Sequence, residues 1–167
     1  KYTALARGGV GGIITGYIGV NEQGRSGSTM ALLNSKENIK AYQKLTGKMH
    51  ELGTPIIAQL NHCGGQTKEE QTGMPVVAPS KISDYKAGFD GVQLHLAHGY
   101  LLSEFVSPRM NRRTDEWGGN TENRFRIVKT IFERARKEVG NYPIIVKING
   151  YETLKNGMSI DESVKIA

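Results

Sequence analysis

Polar side chains lie near the carboxyl ends of three short apolar runs in this sequence. Gln59, His95 and Lys147 each interrupt a run that is otherwise almost entirely apolar. Burying such a group without a hydrogen-bonding partner costs several kcal/mol, and in parallel β/α folds the carboxyl ends of the strands are where ligands bind. The pattern therefore predicts that an amide, an imidazole and an ammonium group share one ligand site. The alternative is that each is a core polar residue with internal partners or, for Lys147, a lysine on an edge strand.

Two imidazoles lie close together at the end of the third run. His95 and His98 are separated by only two residues. Such a pair could bind a metal ion, hold a carbonyl oxygen by hydrogen bonds or shuttle protons. No carboxylate or cysteine close by in the sequence offers a third metal ligand. Hydrogen bonding to a carbonyl is therefore favoured over metal binding, and no metal site is predicted.

A long polar loop is predicted after these histidines, extending to about Gly119. Connections in β/α units usually contain about 2 to 6 residues, and long loops at this edge are often functional. The segment 107–119 contains the only tryptophan of the chain. Its charged residues are better explained by ion pairs that hold the loop in place than by catalysis. These residues are Arg112, Arg113, Asp115 and Glu116.

The apolar runs themselves predict four strands, at residues 12–15, 55–60, 91–96 and 143–148. Continuous apolarity, without polar alternation, is typical of parallel strands covered on both faces. Apolar residues at helical spacing predict helices from Ser35 to Gly53 and from about Asn120 to Gly140. Ser159 and Glu162 have the spacing of a capping box, which begins a further helix. Alternating strands and helices without hairpin signals predict parallel β/α units.

The connection between Pro79 and Gly88 is short for such a fold, because a parallel crossover needs about a dozen residues or more. We therefore expect that a segment is omitted within residues 81–86. The sequence also begins in what looks like the tail of a helix and ends soon after Ser159 starts another. We expect residues 1–167 to form a single domain that is part of a larger fold.

The composition, with 38% hydrophobic and 23% charged residues in 167, is that of a globular protein. No apolar run approaches the roughly 18 to 20 residues that span a bilayer, so no membrane association is expected. The single cysteine, Cys63, cannot form an internal disulfide, which favours a cytoplasmic location. The formal net charge is +6. Because the basic residues are interspersed with acidic ones and form no block, no nucleic-acid partner is predicted.

Several longer motifs carry a family resemblance when they are taken together. They are residues 6–16, residues 59–62, residues 88–102 with His95-Leu96-Ala97-His98-Gly99-Tyr100 at their centre, and then Phe105, Ser107-Pro108, Asn111, Arg113-Thr114-Asp115, Gly118-Gly119 and Glu122-Asn123-Arg124. This set closely resembles the Old Yellow Enzyme family. The resemblance implies a TIM (β/α)8 barrel with FMN at its carboxyl-terminal mouth. It also implies that this chain supplies roughly the second to fifth β/α units, a partial barrel.

The resemblance assigns catalytic roles by position. His95 and His98 match the pair that hydrogen-bonds the substrate carbonyl, and Tyr100 matches the proton donor. The implied function is reduction of the activated C=C bond of an α,β-unsaturated carbonyl compound, an enone or a related small molecule, with NADH or NADPH as the source of electrons. Alternatives are a flavin reductase or NADH oxidase without an alkene substrate, and a noncatalytic half-barrel. A homo-oligomer is left open.

Cofactor contacts are implied by the same resemblance. Gln59 and Lys147 match positions that contact the pyrimidine edge of the flavin, and Gly16 matches a small residue beside the isoalloxazine ring. The first strand of the barrel would precede Lys1, and the phosphate-binding loops would follow Ala167.

Overall fold

The computed structural model describes residues 1–67, 69–73 and 87–167, which form helices and one sheet. The strands are β1 (Ile13–Gly19), β2 (Ile56–Asn61), β3 (Gly91–Leu96) and β4 (Ile144–Ile148). The helices are α1 (Tyr2–Arg7), α2 (Lys36–Glu51), α3 (Glu69–Thr72), α4 (Leu101–Val106), α5 (Thr121–Val139) and α6 (Ile160–Ile166). Single turns of 3-10 helix lie at Glu22–Gly24 and Gly64–Gln66.

All four strands are parallel and lie in the order β1-β2-β3-β4. The predicted strands and their parallel pairing are confirmed, although β1 continues to Gly19, beyond its predicted end. Each strand neighbours the next one in sequence. This order is that of consecutive units in a β/α barrel, whereas a doubly wound sheet reverses direction at a switch point.

The two faces of the sheet differ in chemistry. One face packs on the helices, where Ile56, Ala58 and Leu60 of β2 join Met49 of α2 in the main hydrophobic core. Strand residues alternate between faces, so their sequence neighbours lie on the other side. We call this other side the open face, and it carries Gln59, Gln93, His95 and Lys147, which pair across the strands as Gln59 with Gln93 and His95 with Lys147.

Local capping signals set the ends of the long helices as predicted. The side chains of Ser35 and Asn120 each accept a hydrogen bond from a backbone N–H in the first turn of α2 and α5. Ser159 and Glu162 form a complete capping box at α6. Gly53, just past α2, has a φ of 67°, the left-handed conformation that ends helices and favours glycine.

One short helix, α4, was missed because its residues were predicted to belong to the polar loop. Leu101 and Val106 of α4 are buried. Val106 packs with Leu96 of β3 and Val128 of α5 in a second hydrophobic cluster. A helix of six residues gives almost no periodic signal, so its existence depends on this tertiary packing.

The rest of the long loop is held by hydrogen bonds and one ion pair. Arg113 pairs with Asp115, as the ion-pair interpretation predicted. The side chains of Arg112 and Glu116 form no ion pair with residues in the described ranges. A stronger anchor is Asn111, whose amide donates to backbone carbonyls on both sides of it at 2.7 Å.

The omission expected within residues 81–86 lies outside the described residues. Among the helices in the described ranges, none has the length and apolarity to cross a membrane.

Candidate active site

Gln59 and Gln93 form a buried amide pair on the open face. The side-chain nitrogen of Gln59 donates to the side-chain oxygen of Gln93, and the Gln59 backbone N–H donates to Thr15 Oγ1 at 3.0 Å. Gln59 therefore has an internal partner, as the core alternative proposed. Gln93 was overlooked by the sequence analysis. The available signal was its position two residues before His95, which places both on one face of β3.

His95 lies at the carboxyl end of β3 and is only 2% exposed. Its Nδ1 atom is buried and has no hydrogen-bond partner among the described residues. Burial, with smaller contributions from His98 and Lys147, lowers the pKa of His95 to about 4. The imidazole is therefore neutral near pH 7 and has a buried polar atom available to a ligand.

His98 is held close to His95 by an unusual backbone conformation. Its φ of 63° is left-handed, which non-glycine residues rarely adopt. The His98 N–H donates to Asn149 Oδ1 at 3.3 Å, and the His98 carbonyl accepts from Gln66 Nε2 at 2.9 Å. Its ring centroid lies 5.0 Å from that of His95, with nearly perpendicular planes. Gln66, which follows β2, and Asn149, which follows β4, thus hold the backbone from which the second imidazole projects.

Tyr100 completes the cluster at the amino end of α4. Its ring centroid lies 5.3 Å from that of His95, at an interplanar angle of 76°. The intervening Gly99 has a φ of 72°, and a Cβ there would lie 2.8 Å from Gln66 Nε2. Glycine at position 99 is therefore required both by conformation and by space. Burial, with a smaller contribution from the neighbouring phenol of Tyr17, raises the pKa of Tyr100, which keeps the phenol protonated.

Lys147 lies on β4 directly opposite His95. It is half-buried. No hydrogen bond or ion pair joins its ammonium group to another of the residues that the structure describes. A fixed positive charge beside the histidines is therefore available to a negatively charged or electron-rich ligand.

Gly16 lies on β1, next to Tyr17, which pairs with Gln59. A Cβ added at Gly16 would meet no atom of the described structure within 4 Å. The backbone N–H of Gly16 donates to the Tyr2 hydroxyl at 3.1 Å. The structure therefore groups His95, His98, Tyr100 and Lys147, places Gln59 on the same face, and leaves open space beside Gly16 without joining it to the histidines.

The stability of the fold is expected to fall between pH 6.5 and about pH 4 because of His95. Its pKa is about 4 in the folded chain against 6.5 for an ordinary histidine, so the unfolded chain takes up the proton first as the pH falls. At about 1.4 kcal/mol per pKa unit, the loss is on the order of 3 kcal/mol. Urea unfolding of the wild type and of His95→Asn at pH 7, 5.5 and 4 measures this contribution.

Burial also lowers the pKa of His62, so a part of the pH dependence remains in the variant. The contribution of His95 is the difference between the two curves. Equal slopes in the wild type and His95→Asn would contradict the assignment.

The sequence of this chain is similar to those of flavin-dependent oxidoreductases. The profile of the NADH:flavin oxidoreductase / NADH oxidase family matches residues 1–86 and 78–167. NADPH dehydrogenase of Bacillus subtilis is 33% identical over 192 residues, which cover 99% of this chain and 56% of the relative. NADH oxidase of Thermoanaerobacter brockii is 33% identical over 198 residues, covering 99% of this chain and 30% of the relative.

A solved structure of an old yellow enzyme homologue has the same fold as this chain. An old yellow enzyme homologue from Zymomonas mobilis superposes with a TM-score of 0.82 at 28% identity, covering 94% of this chain and 55% of the homologue. The chain thus spans about half the length of such relatives, and its sheet is part of a TIM barrel, as expected. The cofactors of the family are FMN and a reduced nicotinamide. The chain belongs to the NADH:flavin oxidoreductase / NADH oxidase family, which includes the Old Yellow Enzymes.

Proposed function

We propose that this chain provides the substrate-binding and proton-donating side of an FMN-dependent ene reductase, which reduces the activated C=C bond of an α,β-unsaturated carbonyl compound. The observation that carries the proposal is the cluster of two imidazoles and a phenol, with ring centroids 5.0 and 5.3 Å apart, at the end of β3. Membership of the family supports the choice of flavin and nicotinamide.

The residues on the open face fit the polar edge of a flavin. Lys147 carries a half-buried positive charge opposite His95, and open space lies beside Gly16. Lys147 and Gln59 would hold the pyrimidine edge, and Gly16 would admit the ring. When bound, FMN supplies hydride chemistry, taking electrons from NAD(P)H and passing them to the β-carbon of the alkene.

His95 and His98 act on the carbonyl group of the substrate. Negative charge develops on the carbonyl oxygen as the β-carbon gains a hydride, and two N–H donors at that oxygen stabilise the resulting enolate. Because the pKa of His95 is about 4, its imidazole is neutral near pH 7. His95 is thus a hydrogen-bond donor that costs little to bury, whereas a buried imidazolium would require a counter-charge.

Tyr100 supplies the proton that completes the reduction. Its raised pKa keeps the hydroxyl protonated through neutral and mildly basic pH. The phenol O–H bond breaks as the proton moves to the α-carbon of the enolate, which restores the carbonyl and leaves a phenolate on Tyr100. His95, in ring contact with Tyr100, fixes the carbonyl and the proton donor relative to each other.

Anaerobic kinetics test this function. The intact protein is expected to contain FMN, with a yellow absorption band, and to oxidise NADH or NADPH in the absence of oxygen only when an enone such as 2-cyclohexen-1-one is added. Formation of the saturated ketone, measured by gas chromatography, should match the nicotinamide consumed. A folded protein without flavin, or flavin-loaded protein inert to all enones tried, would contradict the proposal.

A second candidate function is that of a flavin reductase or NADH oxidase with no alkene substrate. It is favoured by the NADH oxidase of Thermoanaerobacter brockii among the relatives. Steady-state rates with an enone and with oxygen as acceptors separate the two candidates. If NAD(P)H oxidation requires oxygen and is unaffected by enones, the oxidase assignment replaces the ene reductase.

A further inference from the structure

Gln59 and Gln93 lie side by side at one level of the open face. They are direct partners in the parallel pairing of β2 with β3, and each is only 8% exposed. Glutamine is mostly exposed in proteins, because a buried amide has to replace the water that it loses with other hydrogen bonds. Two buried amides on neighbouring strands are therefore costly unless they bind each other or a ligand.

Gln59 is held from both of the strands that flank β2. On the β1 side its backbone N–H donates to Thr15 Oγ1 at 3.0 Å, where the pairing of β1 with β2 shifts by one residue. On the β3 side its Nε2 donates to the side-chain oxygen of Gln93. The first bond fixes the backbone of Gln59, and only the second acts on its side chain.

The bond to Gln93 leaves part of the Gln59 amide unused. A glutamine side chain has two N–H donors and one carbonyl oxygen. Among the residues that the structure describes, Gln93 is the one hydrogen-bond partner of the Gln59 side chain. The carbonyl oxygen and the second N–H remain, as an adjacent acceptor and donor. Such a pair is complementary to an imide, in which an N–H group stands next to a carbonyl, as at the pyrimidine edge of a flavin.

We propose that Gln93 is a positioning residue for FMN, which accepts a hydrogen bond from Gln59 Nε2 and so orients the Gln59 amide to bind the imide edge of the flavin. This inference rests on the proposed role of Gln59 at that edge. A glutamine amide without a fixed partner turns over easily, which exchanges its donor and acceptor ends. The acceptor at Gln93 favours one of the two orientations, in which the Gln59 carbonyl oxygen is left for the flavin N–H.

The first test is a double-mutant cycle on the affinity of the intact protein for FMN, measured by the quenching of flavin fluorescence. Gln93→Met keeps an unbranched side chain and removes the amide. We expect it to weaken FMN binding about tenfold, because an orientation that is only partly populated lowers the apparent affinity by that fraction. Gln59→Met should weaken binding at least as much. In the Gln59→Met background, Gln93→Met should change the affinity by less than about twofold, because Gln93 acts through Gln59.

Gln93→Glu tests the direction of the hydrogen bond. A carboxylate accepts hydrogen bonds but donates none, so it should replace Gln93 and keep FMN affinity within about threefold of wild type. Lys147 lies on the same face, diagonally across from Gln93, and supplies a positive charge near the new carboxylate. If Gln93 were instead the donor to Gln59, this variant would bind FMN as weakly as Gln59→Met. It therefore decides the question even if Gln93→Met does not fold.

The second test observes the Gln59 amide directly by NMR of the intact protein labelled with nitrogen-15. The side-chain N–H signals of Gln59 are assigned by their loss in Gln59→Met. A hydrogen bond moves the signal of its proton downfield, so the signal of the proton donated to Gln93 should move upfield in Gln93→Met and further downfield in Gln93→Glu. The matched control is Gln43→Met, an exposed glutamine of α2, which should leave these signals and FMN affinity unchanged.

Three results would overturn the inference. They are additive losses of FMN affinity in the double-mutant cycle, wild-type affinity in Gln93→Met, and a loss in Gln93→Glu as large as that in Gln59→Met. Neither test uses an alkene or a nicotinamide. A protein that binds FMN but reduces no enone would therefore contradict the proposed function and still give a clear result for Gln93.

Discussion

Replacing both His95 and His98 by alanine is expected to weaken phenol binding to the flavin-loaded protein by at least about 100-fold while FMN stays bound. A phenolate oxygen mimics the enolate oxygen of the reaction, and each hydrogen bond to a charged oxygen contributes about 1.5 to 3 kcal/mol. Losing both donors therefore removes about 3 kcal/mol or more, and each 1.4 kcal/mol corresponds to a factor of ten. Titration of the charge-transfer absorption band with a para-substituted phenol measures the change.

Two variants control for structural damage. His95→Asn with His98→Asn keeps amide donors near the same positions and should bind the phenol more tightly than the alanine pair. His50→Ala removes a different imidazole, in the last turn of α2, whose Nε2 lies 2.9 Å from Oδ2 of Asp90 just before β3, and it should leave phenol binding unchanged. Wild-type charge-transfer absorption in the double alanine variant would refute the role of the histidine pair.

The second large effect is expected from Tyr100→Phe, which should slow the alkene half-reaction by about 10²- to 10⁴-fold, the usual contribution of a positioned general acid. The ring contact with His95 is retained in this variant, so only the proton is removed. Reduction of the flavin by NAD(P)H and reoxidation by oxygen need no proton from Tyr100 and should be unaffected. Anaerobic stopped-flow mixing of the reduced protein with an enone measures the first rate separately from the other two.

This variant also separates the two candidate functions. An ene reductase loses alkene turnover in Tyr100→Phe but keeps its reaction with oxygen, whereas an oxidase without an alkene substrate shows no alkene turnover in either form and keeps its reaction with oxygen. Alkene reduction at the wild-type rate in Tyr100→Phe would show that the proton comes from another group.

The sequence by itself determined the four strands and the two long helices, and it singled out most of the candidate site residues. Helix ends were predictable because caps such as Ser35 and Ser159 act on backbone groups only two or three residues away. His95 and Lys147 stood out since a polar group in an apolar run is costly unless something at the strand end uses it. These signals are all local, so they can be read from a short stretch of chain.

Only the tertiary structure decided how those residues are held and which others join them. His98 is fixed by Gln66 and Asn149, which are 32 and 51 residues away in sequence. The ring of Tyr17, whose centroid lies 5.7 Å from that of Tyr100, reaches the open face through a one-residue shift in the pairing of β1 with β2. Strand register is set by the packing of whole faces rather than by the residues in one strand, so neither contact leaves a trace within a local window of sequence.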